Sequence, residues 1–282
     1  MRVAITGSHG LIGSALAESL RHDGHDVVAL ARDHLDERAL QGQDAVVHLA
    51  GEPIAAKRWS DEQKQRIVDS RSRTTAQLAS AIANMSDPPR VFISGSAVGY
   101  YGDRSDEILH EDSAAGDDFL AGVCIAWEAA TAPATAAGVR VAHIRTGLVL
   151  TRAGGALAKM LPLFRLGLGG RFGSGRQWWS WISLDDEVGA IRFLLDHDVA
   201  GPVNVTGPAP LTNGEFAKAL GRVLHRPAVL PVPRFGPRLL LGAELAQQLL
   251  FSSQRVEPAV LSANGYRFRH PDVDSAMRDA LA

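Results

Sequence analysis

The sequence predicts an α/β protein, a doubly wound parallel sheet carrying a smaller mixed α/β lobe at its C-terminal end. Three observations lead there. Short, near-continuously apolar runs alternate with segments of helical periodicity. A glycine-rich turn joins the first such run to the first helix. From Gly154 onward the texture changes to clustered glycines and Pro-rich joints.

The elements follow in order. Arg2–Thr6 is a short apolar strand, and Ile12–Arg21 has Leu16 and Leu20 spaced for one helical face. Asp26–Ala31 and Ala45–Ala50 read as strands buried on both faces, because they are apolar throughout rather than alternating. Only Arg32–Asp44 separates them, too few residues for a helix, a strand and a second helix, so the usual third strand is expected to be missing or vestigial. Ser60–Met85 is a long helix opened by Ser60 and Gln63 in capping-box spacing. Arg90–Ser94 is a strand, Asp118–Ala137 one helix, and Val139–Leu150 a further strand region. Asp186–Leu195 is a helix and Val203–Thr206 a strand. Thr212–Leu224 is a helix with a second capping box, followed by a Leu-rich helix ending near Phe251. A strand at 265–269 and a closing helix after Pro271 complete the chain. The expected division is 1–155 with about 178–206 as the sheet domain, and 156–177 with 207–282 as the second lobe.

Composition narrows the function. With 29 Lys and Arg against 31 Asp and Glu, the chain lacks the basic excess of a nucleic-acid binder. The single cysteine, Cys124, excludes an intrachain disulfide and suggests a reducing, cytoplasmic setting. The most apolar stretch read from the sequence, Leu239–Phe251, is interrupted by Glu244, Gln247 and Gln248 and is too short to span a bilayer, so no membrane association is expected. It is instead an amphipathic helix packed on the body or on a partner subunit, which leaves a homodimer open. The histidines form no His-Glu-x-x-His and no Cys/His cluster, so no metal site is expected. Gly95-Ser96 lacks the second glycine of a nucleophile elbow, since residue 98 is Val.

Glycine is the unusual quantity, 28 residues of 282 against an average of ~7%. Gly7, Gly10 and Gly13 lie in Thr6-Gly7-Ser8-His9-Gly10-Leu11-Ile12-Gly13, directly between strand and helix. There they permit a tight turn, bring backbone N–H groups to a pyrophosphate and let helix pack on strand. The helix N-terminus then faces the phosphates. This is a dinucleotide fingerprint in a Rossmann context. The next strand ends in Ala31-Arg32-Asp33, and Arg32 suits a 2′-phosphate, so NADP(H) is favoured over NAD, although Asp33 could compete.

A resemblance to the extended short-chain dehydrogenase/reductases spans nearly the whole chain. It rests on TGSHGLIG at 6–13, HLAGEPIAAKRW at 48–59, DSRSRTT at 69–75, SGSAVGYYGDR at 94–104, EDSAAGDDFLAGVCIAWE at 111–128, RTGLVL at 145–150, and GGALAKMLPLFRLGLGG at 154–170 followed by GSGRQWWSWI at 173–182. More closely, the chain resembles the atypical, NAD-dependent epimerase/dehydratase-like members with a small extra C-terminal segment. The resemblance implies cofactor contacts from Thr6, Gly7, His9, Gly10, Leu11, Ile12 and Gly13, and from Arg32, Leu49, Ala50, Gly51, Glu52, Arg71 and Ser94. It also implies Ser96 as the catalytic serine, with Ser94 as the second choice. The Tyr-x-x-x-Lys pair that normally accompanies that serine is absent: the following helix reads Phe119-Leu120-Ala121-Gly122-Val123-Cys124. Tyr100 and Tyr101 are the candidate replacements for the proton donor.

Charge patterning adds an independent signal. No acid occurs between Glu128 and Asp185, while that interval holds seven basic residues. In its glycine-rich part, guanidinium and backbone N–H groups suit a phosphate or carboxylate. Arg145, Arg171, Arg176 and Trp178 are therefore expected to meet a small anionic substrate. Alternation would place Trp179 and Trp181 on one strand face and Trp178 with Ser180 on the other. The reading is an NADP(H)-dependent oxidoreductase or epimerase-like enzyme, with a non-catalytic NADPH-binding regulator as the alternative.

Overall fold

A computed structural model describes residues 1–30 and 37–282. In chain order the strands are β1 (Arg2–Thr6), β2 (Asp26–Leu30), β3 (Ala45–His48), β4 (Val91–Ala97), β5 (Ile108–Leu109), β6 (Arg140–Thr146), β7 (Leu148–Leu150), β8 (Trp178–Trp179), β9 (Trp181–Ser183), β10 (Gly201–Val205), β11 (Leu211–Thr212) and β12 (Arg255–Val256). The helices of the first part are α1 (Leu11–His22), α2 (Asp61–Ala83), α3 (Phe119–Ala129), α4 (Ala132–Ala136), α5 (Gly155–Arg165) and α6 (Leu184–Asp196). Those of the last part are α7 (Asn213–Leu224), α8 (Phe235–Leu241), α9 (Ala243–Ala246), α10 (Ala259–Ala263) and α11 (Val273–Leu281).

Six parallel strands form the central sheet in the order β10-β6-β4-β3-β1-β2. Ile5 of β1 pairs with Ala29 on one side and Val47 on the other. β3 therefore lies on the opposite side of β1 from β2. Among the described residues one 3-10 turn, Glu37–Leu40, stands where a third strand would be expected. The reversal of strand order at β1 opens a crevice beyond the strand C-termini, where α/β sheets bind ligands.

Both sheet faces are covered, which explains why the strands are apolar throughout. Val3, Ile5, Val47, Ile93 and Ile144 pack with Leu16 and Leu20 of α1 and Ile191 and Leu194 of α6. Ala4, Val46, Phe92 and Val141 pack on the other face with Leu78 and Ile82 of α2. A separate core in the C-terminal lobe joins Leu157, Leu161 and Phe164 of α5 to Trp179, Trp181, Phe216 and Met277.

Four elements depart from the sequence reading. The helix expected over Asp118–Ala137 divides after Ala129, because Pro133 lacks an N–H and cannot follow the preceding helical turn. The stretch Phe119–Ala136, and not Leu239–Phe251, is apolar and long enough by composition to cross a membrane, and here it is broken at that point and lies against α2. The strand region ending at Leu150 changes sheets at Gly147, whose N–H donates to Val205 O while Leu148 N–H donates to Ser180 O. A Cβ on Gly147 would stand 2.6 Å from that Ser180 oxygen. The Leu-rich helix breaks at Gly242 (φ +93°) into α8 and α9, then closes in one π-turn ending at Phe251. No strand forms at 265–269, since the N–H groups of Arg269 and His270 donate to the Asp186 carboxylate instead of a ladder.

Candidate active site

The turn between β1 and α1 forms the floor of the crevice. Gly7 has φ +71°, and a Cβ there would lie 2.9 Å from both Ala50 N and the Leu49 carbonyl carbon. A Cβ on Gly13 would run into the Gly7 carbonyl, so the first turn of α1 packs where only glycine fits. Gly10 is the N-cap of α1, no side chain caps the helix, and no acid lies in its first turn. Those N–H groups and the helix dipole are thus available to a pyrophosphate. Leu11 and Ile12 are half-buried, whereas His9 is exposed with Nδ1 at 3.4 Å from Ser8 Oγ.

The end of β3 walls this turn. Thr6 Oγ1 lies 2.6 Å from His48 Nδ1 and accepts from Ala50 N at 3.3 Å, so its role is to tie the two strand ends together. Complete burial, reinforced by the Arg71 charge, holds His48 down to about 4, which leaves its ring neutral. Glu52 N donates to Ser70 Oγ at 2.9 Å, and Arg71 Nη1 donates to Glu52 O at 2.9 Å. Gly51 admits the Arg71 guanidinium, which lies 5.0 Å over the Trp127 ring. The glycine cradle, the uncapped helix and the Leu49–Glu52 wall fit a dinucleotide. Arg32, the residue expected at a 2′-phosphate, lies outside the described residues. Ser94 is fully buried, and its hydroxyl reaches Gly95 O at 3.4 Å rather than the crevice surface.

A polar cluster adjoins this floor at the ends of β4 and β6. Ser96 Oγ donates to Glu128 Oε1 at 2.7 Å. Arg145 clasps the same carboxylate with Nε at 2.8 Å and Nη2 at 2.9 Å. Its Nη1 donates to Tyr101 OH and to Glu111 O, each at 3.0 Å. Tyr101 OH donates to Asn204 Oδ1 at 2.6 Å. Burial would by itself lower the Arg145 pKa, but the Glu128 hydrogen bonds and the Tyr101 contact outweigh it and raise it. Burial pushes Tyr101 up to about 12 despite the neighbouring guanidinium.

These contacts sort the candidates. Tyr101 is fully buried with its hydroxyl bonded on both sides. Arg145 has 3% of its side chain exposed and is wholly engaged inside the protein, so it organises the cluster rather than facing substrate. Tyr100 is half-buried, its ring centroid 3.4 Å from the Arg145 guanidinium carbon, and no described hydrogen bond occupies its hydroxyl. Ser96, Tyr100 and Tyr101 are thus brought together, with Arg145 beneath them.

The predicted anion-binding residues separate. Trp179 and Trp181 enter the lobe core, while Trp178 is half-buried and donates from Nε1 to Asp106 Oδ1 at 2.8 Å. Arg176 is exposed. Arg171 lies on the outer side of the lobe, its Nη1 donating to Ser174 O at 2.6 Å and Gly173 O at 3.3 Å. Two participants were missed in the sequence. Glu128, the last acid before the acid-free interval, holds both Ser96 and Arg145, and its position at that boundary was the available signal. Arg255 lies 4.4 Å over the Trp178 ring with its buried Nε unpaired, and no local pattern marks it.

Comparison with known proteins identifies the family. Residues 3–206 match the NAD-dependent epimerase/dehydratase family, and residues 232–280 match a domain of unknown function, DUF1731. An epimerase family protein of Mycobacterium bovis is 45% identical, covering 98% of this chain and 96% of its own length. The crystal structure of human epimerase family protein SDR39U1 with NADPH is 35% identical, covers 99% of each chain and has a TM-score of 0.92. A Bacillus cereus UDP-glucuronic acid 4-epimerase, solved with UDP-glucuronic acid and NAD, shares the fold at 18% identity and a TM-score of 0.78, over 100% of this chain and 99% of its own.

Proposed function

Because this chain belongs to the NAD-dependent epimerase/dehydratase family, we propose that it is an NADP(H)-dependent oxidoreductase or epimerase-like enzyme acting on a small anionic molecule. The observation that carries this reading is the juxtaposition of the glycine cradle with the Ser96–Glu128–Arg145–Tyr100 cluster at adjoining strand ends. The human relative crystallised with NADPH supports the choice of cofactor. When bound, NADP(H) supplies or accepts hydride at a carbonyl or alcohol carbon.

The residues divide the remaining work. The turn at Gly7–Gly13 and the wall at Leu49–Glu52 hold the dinucleotide, with Arg71 fixing the wall from behind. Ser96 donates its proton to Glu128, which leaves its oxygen free to accept from a substrate hydroxyl. Tyr100, held on Arg145 by a cation–π contact, is the proton donor or acceptor for the substrate oxygen. Arg255 on Trp178, with Arg176 nearby in the chain, meets the anionic group of the substrate.

The absent Tyr-x-x-x-Lys pair favours a second reading, an NADPH-binding regulator with no turnover of its own. One experiment separates them. The purified protein is titrated with NADPH and NADH, then NADPH consumption is followed over keto acids, aldehydes and nucleotide-sugars. We expect NADPH binding and turnover of an anionic carbonyl compound, with Ser96→Ala and Tyr100→Phe each lowering kcat about 100-fold and leaving NADPH affinity intact. Binding without turnover across the panel supports the regulator. Failure to bind either dinucleotide defeats both readings.

A further inference from the structure

The outer side of the C-terminal lobe holds a cavity of about 1040 Å³ that contains no residue of the dinucleotide crevice. Arg171, Lys218, Arg222, His225 and Arg226 line it, against the single carboxylate of Glu215. That carboxylate is already used: it accepts from Thr212 N at 2.8 Å and Thr212 Oγ1 at 2.7 Å in the capping box of α7, which holds its pKa down. Arg222 is paired with Asp274 at 2.8 Å.

Arg171, Lys218 and Arg226 differ from Arg222 in a way that matters for ligands. No described carboxylate lies within ion-pair distance of any of the three. Arg171 donates to the carbonyls of Gly173 and Ser174, and Arg226 donates from Nε to Arg165 O at 3.0 Å and from Nη1 to His225 O at 3.1 Å. Carbonyl partners fix where a guanidinium points without neutralising its charge. Cations at the end of α7 also complement its dipole, but Arg171 and Lys218 lie away from that end, so the dipole does not explain the cluster. Gly221 shapes the floor, since a Cβ there would press to 2.8 Å from Arg226 O and Ala228 Cβ.

We propose that this cavity is a second ligand site, for a small polyanion carrying clustered phosphates. The space exceeds what one phosphate fills, and several oriented cations suit several anionic groups. No Phe, Tyr or Trp lines it, so charge rather than base stacking selects the ligand. The site is separate from the dinucleotide crevice. Helix α5 begins at Gly155, 3.7 Å in Cβ terms from Leu11 of the cradle, and ends at Arg165 beside Arg226. Its 11 residues span about 16 Å. The walls from α7 to Val229 also fall between the two stretches of chain matched to known families.

Calorimetry on the full chain, with and without saturating NADPH, tests this with tripolyphosphate, pyrophosphate and inorganic phosphate as probes at low ionic strength. We expect tripolyphosphate to bind most tightly, with NADPH present or absent, and to weaken steeply with added salt. Arg171→Gln with Lys218→Gln, and separately Arg226→Gln, should each weaken it at least about tenfold while NADPH affinity and melting temperature hold. Arg234→Gln, outside the cavity, should change nothing. Absence of binding at low salt overturns the proposal. So does competition with NADPH, which would place the probe in the crevice, or equal binding by the variants.

Discussion

Glu187 and His48 are two fully buried titratable residues whose pH effects oppose each other. Glu187 accepts from Thr146 Oγ1 at 2.8 Å through Oε1, while its Oε2 has no partner. Burial pushes its pKa from 4.5 up to about 8, so the folded protein keeps a proton that the unfolded chain releases. Its contribution to stability is therefore intact below pH 4.5 and lost progressively as pH rises to about 8. His48 behaves oppositely: burial holds it near 4 against an ordinary 6.5, so stability is lost as pH falls through that window. Glu187→Gln should stabilise the fold by a few kcal/mol at about pH 9, seen as a higher melting temperature, and change little at about pH 4. Parallel pH profiles for variant and parent would show that Glu187 ionises normally in the fold. Some residue roles were legible beforehand, because Gly7, Gly10 and Gly13 act through backbone geometry that spacing records. The duties of Arg145 were not, because an exposed and a buried arginine look alike until the fold supplies Glu128.

At the scale of elements, the segment carrying α8, α9 and the π-turn reaches from the C-terminal lobe to the sheet domain. It touches that domain by Arg58 Nε donating to Leu240 O at 3.1 Å, Lys64 paired with Glu244 at 2.6 Å, and Leu120 N donating to Gln248 Oε1 at 3.0 Å. Lys64 also lies 5.1 Å from the Phe119 ring centre. The ion pair is partly exposed, so its loss should cost no more than about 1 kcal/mol overall. Its local effect should be larger. Lys64→Met and Glu244→Gln are each expected to speed amide exchange at Leu120 and across Ala243–Phe251 several-fold, and the double variant no further. Unchanged exchange would mean that the segment is held by the lobe alone. Element type was readable wherever periodicity was long, as in α2 and α7. Element ends were not: Pro133 and Gly242 broke helices that periodicity alone would continue, and Gly147 redirected its strand through contacts remote in sequence.

At the scale of the whole molecule, Asp186 joins the C-terminal tail to the sheet domain. It is 2% exposed and accepts from Ser183 Oγ at 2.8 Å, Tyr266 OH at 3.2 Å, Arg269 N at 2.7 Å and His270 N at 3.0 Å. Burial, and then the Asp186 charge, raise the Tyr266 pKa, so that phenol remains a donor. Asp186→Ala should cost about 3–5 kcal/mol in urea unfolding, since buried donors would lose their acceptor. Asp186→Asn, which keeps one acceptor oxygen, should cost less. A loss below about 1 kcal/mol for the alanine variant would show that water or local rearrangement satisfies those donors.

The amino-acid sequence was enough for the strand–helix alternation, the shortened passage between β2 and β3, the glycine cradle and the loss of the Tyr/Lys pair. Each is local: it depends on periodicity, chain length or residue identity within a few positions. The fold alone established which of the basic residues after Glu128 is committed to the interior and which stays exposed. Arg140 donates to Leu194 O, Leu195 O and Val199 O at the end of α6, Arg145 turns inward to Glu128, and Arg171 faces the outer cavity. The residues that decide this are far apart in the chain, as with Tyr101 and Asn204, 103 positions apart and 2.6 Å in space. A buried charge is tolerable only beside a compensating group, and chain order does not record which group the fold will bring there.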